Sequence, residues 1–241
     1  MGELDRLLEL RRKLKAQLKD GACRKSSSEV LMVKSAEKSP KYNPAGGMDG
    51  TRQCGTFIDW RGLPIAHAAA LALGLTPLNL VVWAKTNAGM GSLYRSQHEL
   101  LPLFKKGTAS HVNNISLGKR GRHRTNLWIY PGASSVGSDA RKGLQDHPTV
   151  KPTAMLHDAL IDLTNRGEIV LDPFLGSGST LLAAENTGRA CRGVELDPLF
   201  VDVIIRRYET ATGNPVTLAD TDEPFEEVAS RRRNEVSDDR Q

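Results

Sequence analysis

Leu171-Asp172-Pro173-Phe174-Leu175-Gly176-Ser177-Gly178-Ser179-Thr180 decides the fold of this chain. Ile169, Val170 and Leu171 form a short apolar run that ends in Asp172 and turns on Gly176 and Gly178. The turn opens onto Thr180-Leu181-Leu182-Ala183-Ala184-Glu185, whose composition and spacing are helical. A strand that ends in a carboxylate, turns on glycines and enters a helix makes a nucleotide-shaped pocket, because glycine lets backbone approach a ligand closely. The next apolar run, Arg192-Gly193-Val194-Glu195-Leu196, carries a second carboxylate, Glu195, where a ribose diol would be gripped.

Working outward, strands and helices alternate. Residues 153–165 read as a helix, 168–172 as a strand, 178–187 as a helix, 190–196 as a strand and 198–210 as a helix. Upstream, Thr56 to Trp60, Leu78 to Ala84 and Leu100 to Phe104 read as strands, and Pro64 to Leu73 as a helix stopped by Gly74. This alternation predicts an α/β fold: a mostly parallel, Rossmann-like sheet with helices on both faces. The domain is expected to span residues 55–217. Residues 1–54 read as an N-terminal helix and irregular linker. Residues 218–241, rich in Asp, Glu and Arg, read as a charged flexible tail. In the 3–19 segment Leu4, Leu7, Leu8, Leu14 and Leu18 share one face, which suits a helix packed on the domain or a short joint to a second chain.

The chain has 241 residues, a net charge of +5 and a pI near 9.2, which suits an anionic partner. Cys23, Cys54 and Cys191 are scattered, with no Cys-x-x-Cys pair, so neither a zinc site nor a disulfide framework is expected. That cysteine usage fits a reducing cytoplasm. No apolar run is long enough to span a bilayer.

A Gly-x-Gly alone is a weak signal. Here His147-Pro148-Thr149-Val150-Lys151-Pro152 stands upstream of it, followed by a helical pattern. Together, in order and spacing, these elements resemble the cofactor half of the amino-group DNA methyltransferases. Those enzymes methylate exocyclic nitrogens of adenine or cytosine with S-adenosylmethionine. Asp59-Trp60-Arg61, Lys85-Thr86-Asn87, Gly89-Met90-Gly91-Ser92, Tyr94-Arg95-Ser96-Gln97-His98-Glu99 and Arg124-Thr125-Asn126-Leu127-Trp128 resemble a bacterial and phage subgroup of that family. The resemblance covers roughly residues 55–215 and has the permuted, β-type order, with the catalytic half first.

The resemblance implies S-adenosylmethionine as cofactor and double-stranded DNA as partner, with adenine the expected target. It places Asp172, Phe174, Gly176, Ser177, Gly178 and Thr180 on the methionine side and Glu195 on the ribose. His147, Lys151 and Pro152 would close the pocket. Between the halves, residues 100–138 carry no acid but many bases. Lys119, Arg120, Arg122 and Arg124, with Lys85 and Arg95, are expected to meet DNA phosphates, and Asn113 and Asn114 to reach base edges.

One element of the family pattern is absent. The Asp/Asn/Ser-Pro-Pro-Tyr/Phe motif, which accepts hydrogen bonds from the target amine and stacks on the flipped base, is not in this sequence. Asn43-Pro44-Ala45-Gly46 lacks the second proline and the ring, and Asp172-Pro173-Phe174 belongs to the cofactor turn. The catalytic residues are therefore unassigned, and the sheet is expected to lack a central strand unless Val30 to Val33 fills the gap. An inactive, cofactor- and DNA-binding remnant, or one half of a split enzyme, stands beside the active enzyme as a reading.

Overall fold

The computed structural model describes residues 29–34, 52–91, 93–132 and 150–238, with the backbone alone at 29–34 and 233–238. Among the described residues, seven strands make one sheet: β1 (Glu29–Lys34), β2 (Arg52–Phe57), β3 (Thr76–Lys85), β4 (His98–Lys106), β5 (Leu127–Tyr130), β6 (Ile169–Asp172) and β7 (Ala190–Gly193). Their spatial order is β5-β3-β4-β2-β1-β6-β7. The helices are α1 (Leu63–Ala72), α2 (Thr153–Leu163), α3 (Ser179–Thr187), α4 (Pro198–Thr212) and α5 (Phe225–Asp238).

The strand directions correct the expectation of a mostly parallel sheet. β6 pairs β7 and β3 pairs β5 in parallel, while β4 is antiparallel to β2 and β3, and β1 is antiparallel to β2 and β6. β2, β3, β5, β6 and β7 thus run one way, but β1 and β4 lie reversed among them, so the sheet is mixed. For β4 the cause is local: the connection from β3 carries no helix and returns the chain as a hairpin.

Two layers of side chains cover the sheet. Phe57, Val81, Trp83, Leu101, Leu103, Trp128 and Val170 pack against Met155, Leu156, Ala159 and Leu160 of α2 and Ala183 and Ala184 of α3. Small residues at 159, 183 and 184 let the two helices lie close. On the opposite face α1 sets Ala66 against Ile58 and Leu100, and the His67 ring packs 6.0 Å from that of Phe104. β4 therefore alternates, Leu101 and Leu103 to one face and Leu100 and Phe104 to the other, and is buried on both. The Cα alternation that gives β4 its two apolar faces is what makes it a central strand.

Three boundaries move. β2 begins at Arg52, and β1 joins the sheet from the segment read as linker, so the domain starts ahead of residue 55. β5 has no counterpart among the expected strands, since four residues with only Trp128 buried are too short to show a period. The tail is not free: α5 docks through Phe225 and Val228, both buried, and Arg206 lies 5.5 Å over the Phe225 ring. Glu226 and Glu227 in its first turn favour the helix electrostatically. The 3–19 segment lies outside the described residues.

Candidate active site at the carboxyl edge

The forward strands deliver their last residues to one edge. Asp172 closes β6 opposite Gly193, and β7 leads on to Glu195. Lys85 closes β3 where β4 begins at His98 and Glu99, and Ile58, bridged to Leu100, leads β2 into Asp59, Trp60 and Arg61. Lys151, in the segment that enters α2, reaches Glu99 and so belongs to this edge too.

The glycine turn is built as its sequence requires. The Phe174 N–H donates to Asp172 Oδ1 at 3.0 Å, which folds the chain back over the carboxylate. Gly176 and Gly178 have φ of 57° and 79°, a region costly for any residue with a Cβ. A Cβ on Gly178 would also come within 3.0 Å of the Ile204 side chain. α3 starts at Ser179, so its unsatisfied N–H groups and positive dipole end follow directly on the turn. Arg207 of α4 donates to the Ser177 carbonyl at 2.7 Å and to its hydroxyl at 3.1 Å. Ser177, expected against the cofactor, is thereby occupied in fastening the turn to α4.

Glu195 accepts from three backbone groups: Gly176 N–H at 2.9 Å, Leu196 N–H at 2.6 Å and Asp197 N–H at 3.0 Å. A carboxylate offers about four lone-pair directions, so Glu195 is held rigidly by three of them. Leu196 and Leu199 beside it are 66% and 72% exposed and present an uncovered apolar surface.

Charge accumulates below the turn. Asp172 is 2% exposed, and burial pushes its carboxyl up to about 6 although Thr180, the Phe174 N–H and the Lys151 charge pull it down. The Lys151 side chain is buried, its Nζ 3.6 Å from Glu99 Oε2 and 5.4 Å from the centre of the Phe57 ring. Lys85 donates to Glu99 Oε1 at 2.5 Å. Burial raises the Glu99 carboxyl, but the Lys151 and Lys85 ammoniums outweigh it and hold it below the usual carboxylate range. Pro152 caps the start of α2, and its carbonyl accepts from Met155 N–H. His147 lies outside the described residues. Burial pushes the Cys54 and Cys191 thiols up to about 12, so neither is a thiolate nucleophile.

The expected DNA-contacting residues are divided by the fold. Lys85 is engaged by Glu99, and Arg95 donates to the Gly89 and Ala88 carbonyls, bracing the loop between β3 and β4. On that loop Met90, Leu93 and Tyr94 are among the most exposed apolar side chains, a feature that the sequence pattern does not announce. Arg122 and Arg124 are engaged by carboxylates of α2. Arg122 Nε donates to Asp162 Oδ1 at 2.5 Å, Arg124 NH1 lies 3.0 Å from Asp158 Oδ2, and Arg124 Nε contacts Asp162 Oδ2 at 2.7 Å without hydrogen-bond alignment.

The loop that carries them starts at the far edge of the sheet, since Lys106 pairs with Arg52 at the start of β2. Asn114 is pinned there too: its Nδ2 donates to the Ile161 and Thr164 carbonyls at 2.9 and 2.8 Å, satisfying the end of α2. Asn113 accepts from Ile115 and Ser116 N–H within its own turn. Asn114 thus spends its amide donors within the fold, whereas Asn113 is exposed and commits only its Oδ1. Lys119 and Arg120 are exposed, a few residues beyond this anchored turn.

A mixed sheet with a glycine turn after its strand-end aspartate, and a held carboxylate one strand over, has the form of a nucleotide-type cofactor pocket. The chain belongs to the DNA methylase family, whose model matches residues 30–206. It is 29% identical over 144 residues to the type II methyltransferase M2.DpnII of Streptococcus pneumoniae, covering 56% of this chain and 52% of that one. It is 28% identical over 151 residues to the type II methyltransferase M.HinfI of Haemophilus influenzae, covering 57% and 41%. The crystal structure of an M1.HpyAVI–SAM complex superposes with a TM-score of 0.55 and 25% identity, over 68% of this chain and 77% of that one. The chain spans about half the length of the curated relatives it matches.

Proposed function

We propose that this chain binds S-adenosylmethionine at the carboxyl edge and serves methylation of an exocyclic amino group in DNA, of adenine or of cytosine. The observation that carries the reading is the buried Asp172 carboxyl beneath the Gly176–Gly178 turn, in the field of the buried Lys151 ammonium that Glu99 contacts, with Glu195 beside it. The residues fit the cofactor's chemistry. A carboxylate and an ammonium complement an α-amino acid zwitterion, the remaining lone pair of Glu195 suits a ribose hydroxyl, and Leu196 and Leu199 offer an apolar bed for a purine. S-adenosylmethionine supplies, when bound, a methyl group on a sulfonium sulfur. The chain's own part is to hold the amino-acid end, fix the ribose and keep water from the buried Asp172 and Lys151. The SAM-bound M1.HpyAVI neighbour supports the same assignment.

Calorimetric titration with S-adenosylmethionine is the test. The unmodified chain is expected to bind, and Glu195→Ala to weaken binding by about 1–3 kcal/mol, the usual cost of a lost charged hydrogen bond. Unchanged affinity in a folded variant removes Glu195 from the site.

The direction of β1 supports a second reading. It fills the slot between β2 and β6 but runs opposite to both, so its last residue, Lys34, stands at the far edge, opposite Arg52 and Ile169. The carboxyl end of β1 therefore does not point to the cofactor edge, and the sequence holds no polar-Pro-Pro-aromatic motif. A chain that binds cofactor and DNA and receives its amine-binding strand from another polypeptide, with residues 3–19 as the joint, accounts for this. Methyl transfer by the purified chain on unmethylated DNA separates the readings. Either reading implies a cytoplasmic protein working on double-stranded DNA. Among the described residues no helix is long and apolar enough to cross a membrane.

A further inference from the structure

Glu99 takes no part in the glycine turn or in holding Glu195, yet it ties together two parts of the carboxyl edge that are remote in sequence. It is the second residue of β4. One carboxylate oxygen accepts from Lys85 at the end of β3, at 2.5 Å, and the other lies 3.6 Å from the Lys151 ammonium ahead of α2. Lys151 is the member of the trio withdrawn from water, its side chain 4% exposed. A lysine ammonium is a strongly hydrated point charge on a four-carbon stem, and in a buried place it needs a counter-charge both to offset desolvation and to fix its position. Glu99 provides that counter-charge from one side. On the other side the field of Lys151 acts on Asp172. The order Lys85, Glu99, Lys151, Asp172 is therefore an alternating row of charges leading from the β3–β4 hairpin to the glycine turn.

We propose that Glu99 is a positioning residue for the amino-acid end of the bound cofactor, acting through Lys151. The inference rests on the cofactor reading above. With Glu99 in place, the ammonium of Lys151 stands where the cofactor carboxylate needs it, and Asp172 is left for the cofactor's own ammonium. Without Glu99, Lys151 swings toward Asp172 and the two neutralise each other, so the zwitterion loses both partners. The adenosine end, bound by Glu195 and the Leu196 surface, does not depend on this row.

The test uses the full chain and two probes in calorimetric titration. S-adenosylhomocysteine carries the amino-acid end; 5′-methylthioadenosine has the adenosine and the sulfur without it. Glu99→Gln and Glu99→Ala are expected to weaken S-adenosylhomocysteine binding about tenfold or more, as for loss of a charged contact, and to leave methylthioadenosine within about twofold. Lys151→Met is expected to show the same selective loss. Combining it with Glu99→Gln adds little, because both act through one ammonium. Equal weakening of both probes, or of neither, overturns the role, and so does full additivity of the two substitutions. Melting temperature and circular dichroism check each variant; if the alanine variant does not fold, the volume-conserving Gln variant decides. An unmodified chain that binds neither probe ends the cofactor reading and this inference with it. Normal binding without selective loss removes Glu99 alone.

Discussion

Asp172 holds a carboxyl group almost out of solvent at the end of β6, pushed up to about 6 chiefly by burial. The groups that face it are the Thr180 hydroxyl, the Phe174 N–H, Lys151, Glu195 and Cys191. Because the folded-state value lies above the ordinary one, the folded state prefers the protonated acid. Its relative stability is highest below the ordinary aspartate range and falls as pH rises through about 6. A tenfold change in an ionisation equilibrium is worth about 1.4 kcal/mol, so ionising Asp172 costs the fold about 2–3 kcal/mol at neutral pH. Asp172→Asn is expected to be the more stable protein, with a margin that shrinks by about 1–1.5 kcal/mol between about pH 8 and pH 5. Thermal or urea unfolding at the two pH values measures it, and a margin independent of pH would show that Asp172 is not the group titrating. A cofactor ammonium prefers the ionised form, so affinity should rise as pH climbs through about 6 and level off above it. Asn in this place should bind the cofactor weakly at every pH, an instance of stability given up where binding needs a charge.

At the scale of elements, α2 is held by charges brought from the loop before β5. Asp162 meets both Arg122 and Arg124, and Asp158 meets the same two and Tyr130. Burial raises Asp162 even against its two guanidiniums, whereas Asp158, the more exposed, is held below the ordinary range because its partners outweigh burial. Asp162→Ala should destabilise by about 2–3 kcal/mol, less than a fully buried pair because the arginines keep Asp158 and some water. Denaturant unfolding checks it, and a change under about 0.5 kcal/mol would mean the network is a surface contact. For α5, Phe225→Ala should release the helix, seen as lost ellipticity and new proteolytic cleavage, at a cost of about 2–3 kcal/mol for an aromatic at the margin of the core. These two elements also mark where the sequence stops being readable. Asp172 to Thr180 and α3 are local: the apolar run, the glycines and the helix formers are adjacent, so turn and fold class could be read directly. The partners of Arg122 and Arg124 are some thirty to forty residues distant, and a basic run reads the same whether it is solvated or paired. In α5 two buried apolar residues are outnumbered by charges that look like a free tail. β1 shows a third limit, since an apolar run such as Val30 to Val33 has the same pattern in either direction and hides its polarity.

For the molecule as a whole, the two edges of the sheet have different tasks. The carboxyl edge holds the turn, Glu195, the charge row, exposed Trp60 and the loop bearing Met90, Leu93 and Tyr94. The far edge holds the end of α2 and Asn114, which anchors there the loop that goes on to Lys119 and Arg120. A duplex whose base must reach the cofactor has to lie across the carboxyl edge. Replacing Lys119 and Arg120 with Ala is therefore expected to leave the salt dependence of DNA binding within about one unit of slope, while Arg95→Ala lowers it by about one, as for one phosphate contact. Filter binding across a salt series decides; a drop of about two units in the double variant would return the basic loop to the interface. Between the edges runs β1, and its direction bears on catalysis. An amine lone pair delocalised into a base must be met by positioned acceptors and a stacking ring. In this sheet the central slot next to β6 sends its chain away from the cofactor turn. Loss of positioned groups commonly costs about 10²–10³ in rate, and loss of the base platform with them costs more. The purified chain should accordingly bind S-adenosylmethionine yet transfer methyl groups to DNA barely or not at all. A peptide or second chain ending in Asp-Pro-Pro-Tyr should raise turnover by displacing β1 with a strand of the opposite direction. Tritium transfer from labelled cofactor, with and without that partner, measures both. Rapid transfer by the chain alone would place the amine-binding group among residues already at the carboxyl edge, and Asp59, beside Trp60 at the end of β2, would be the first to replace.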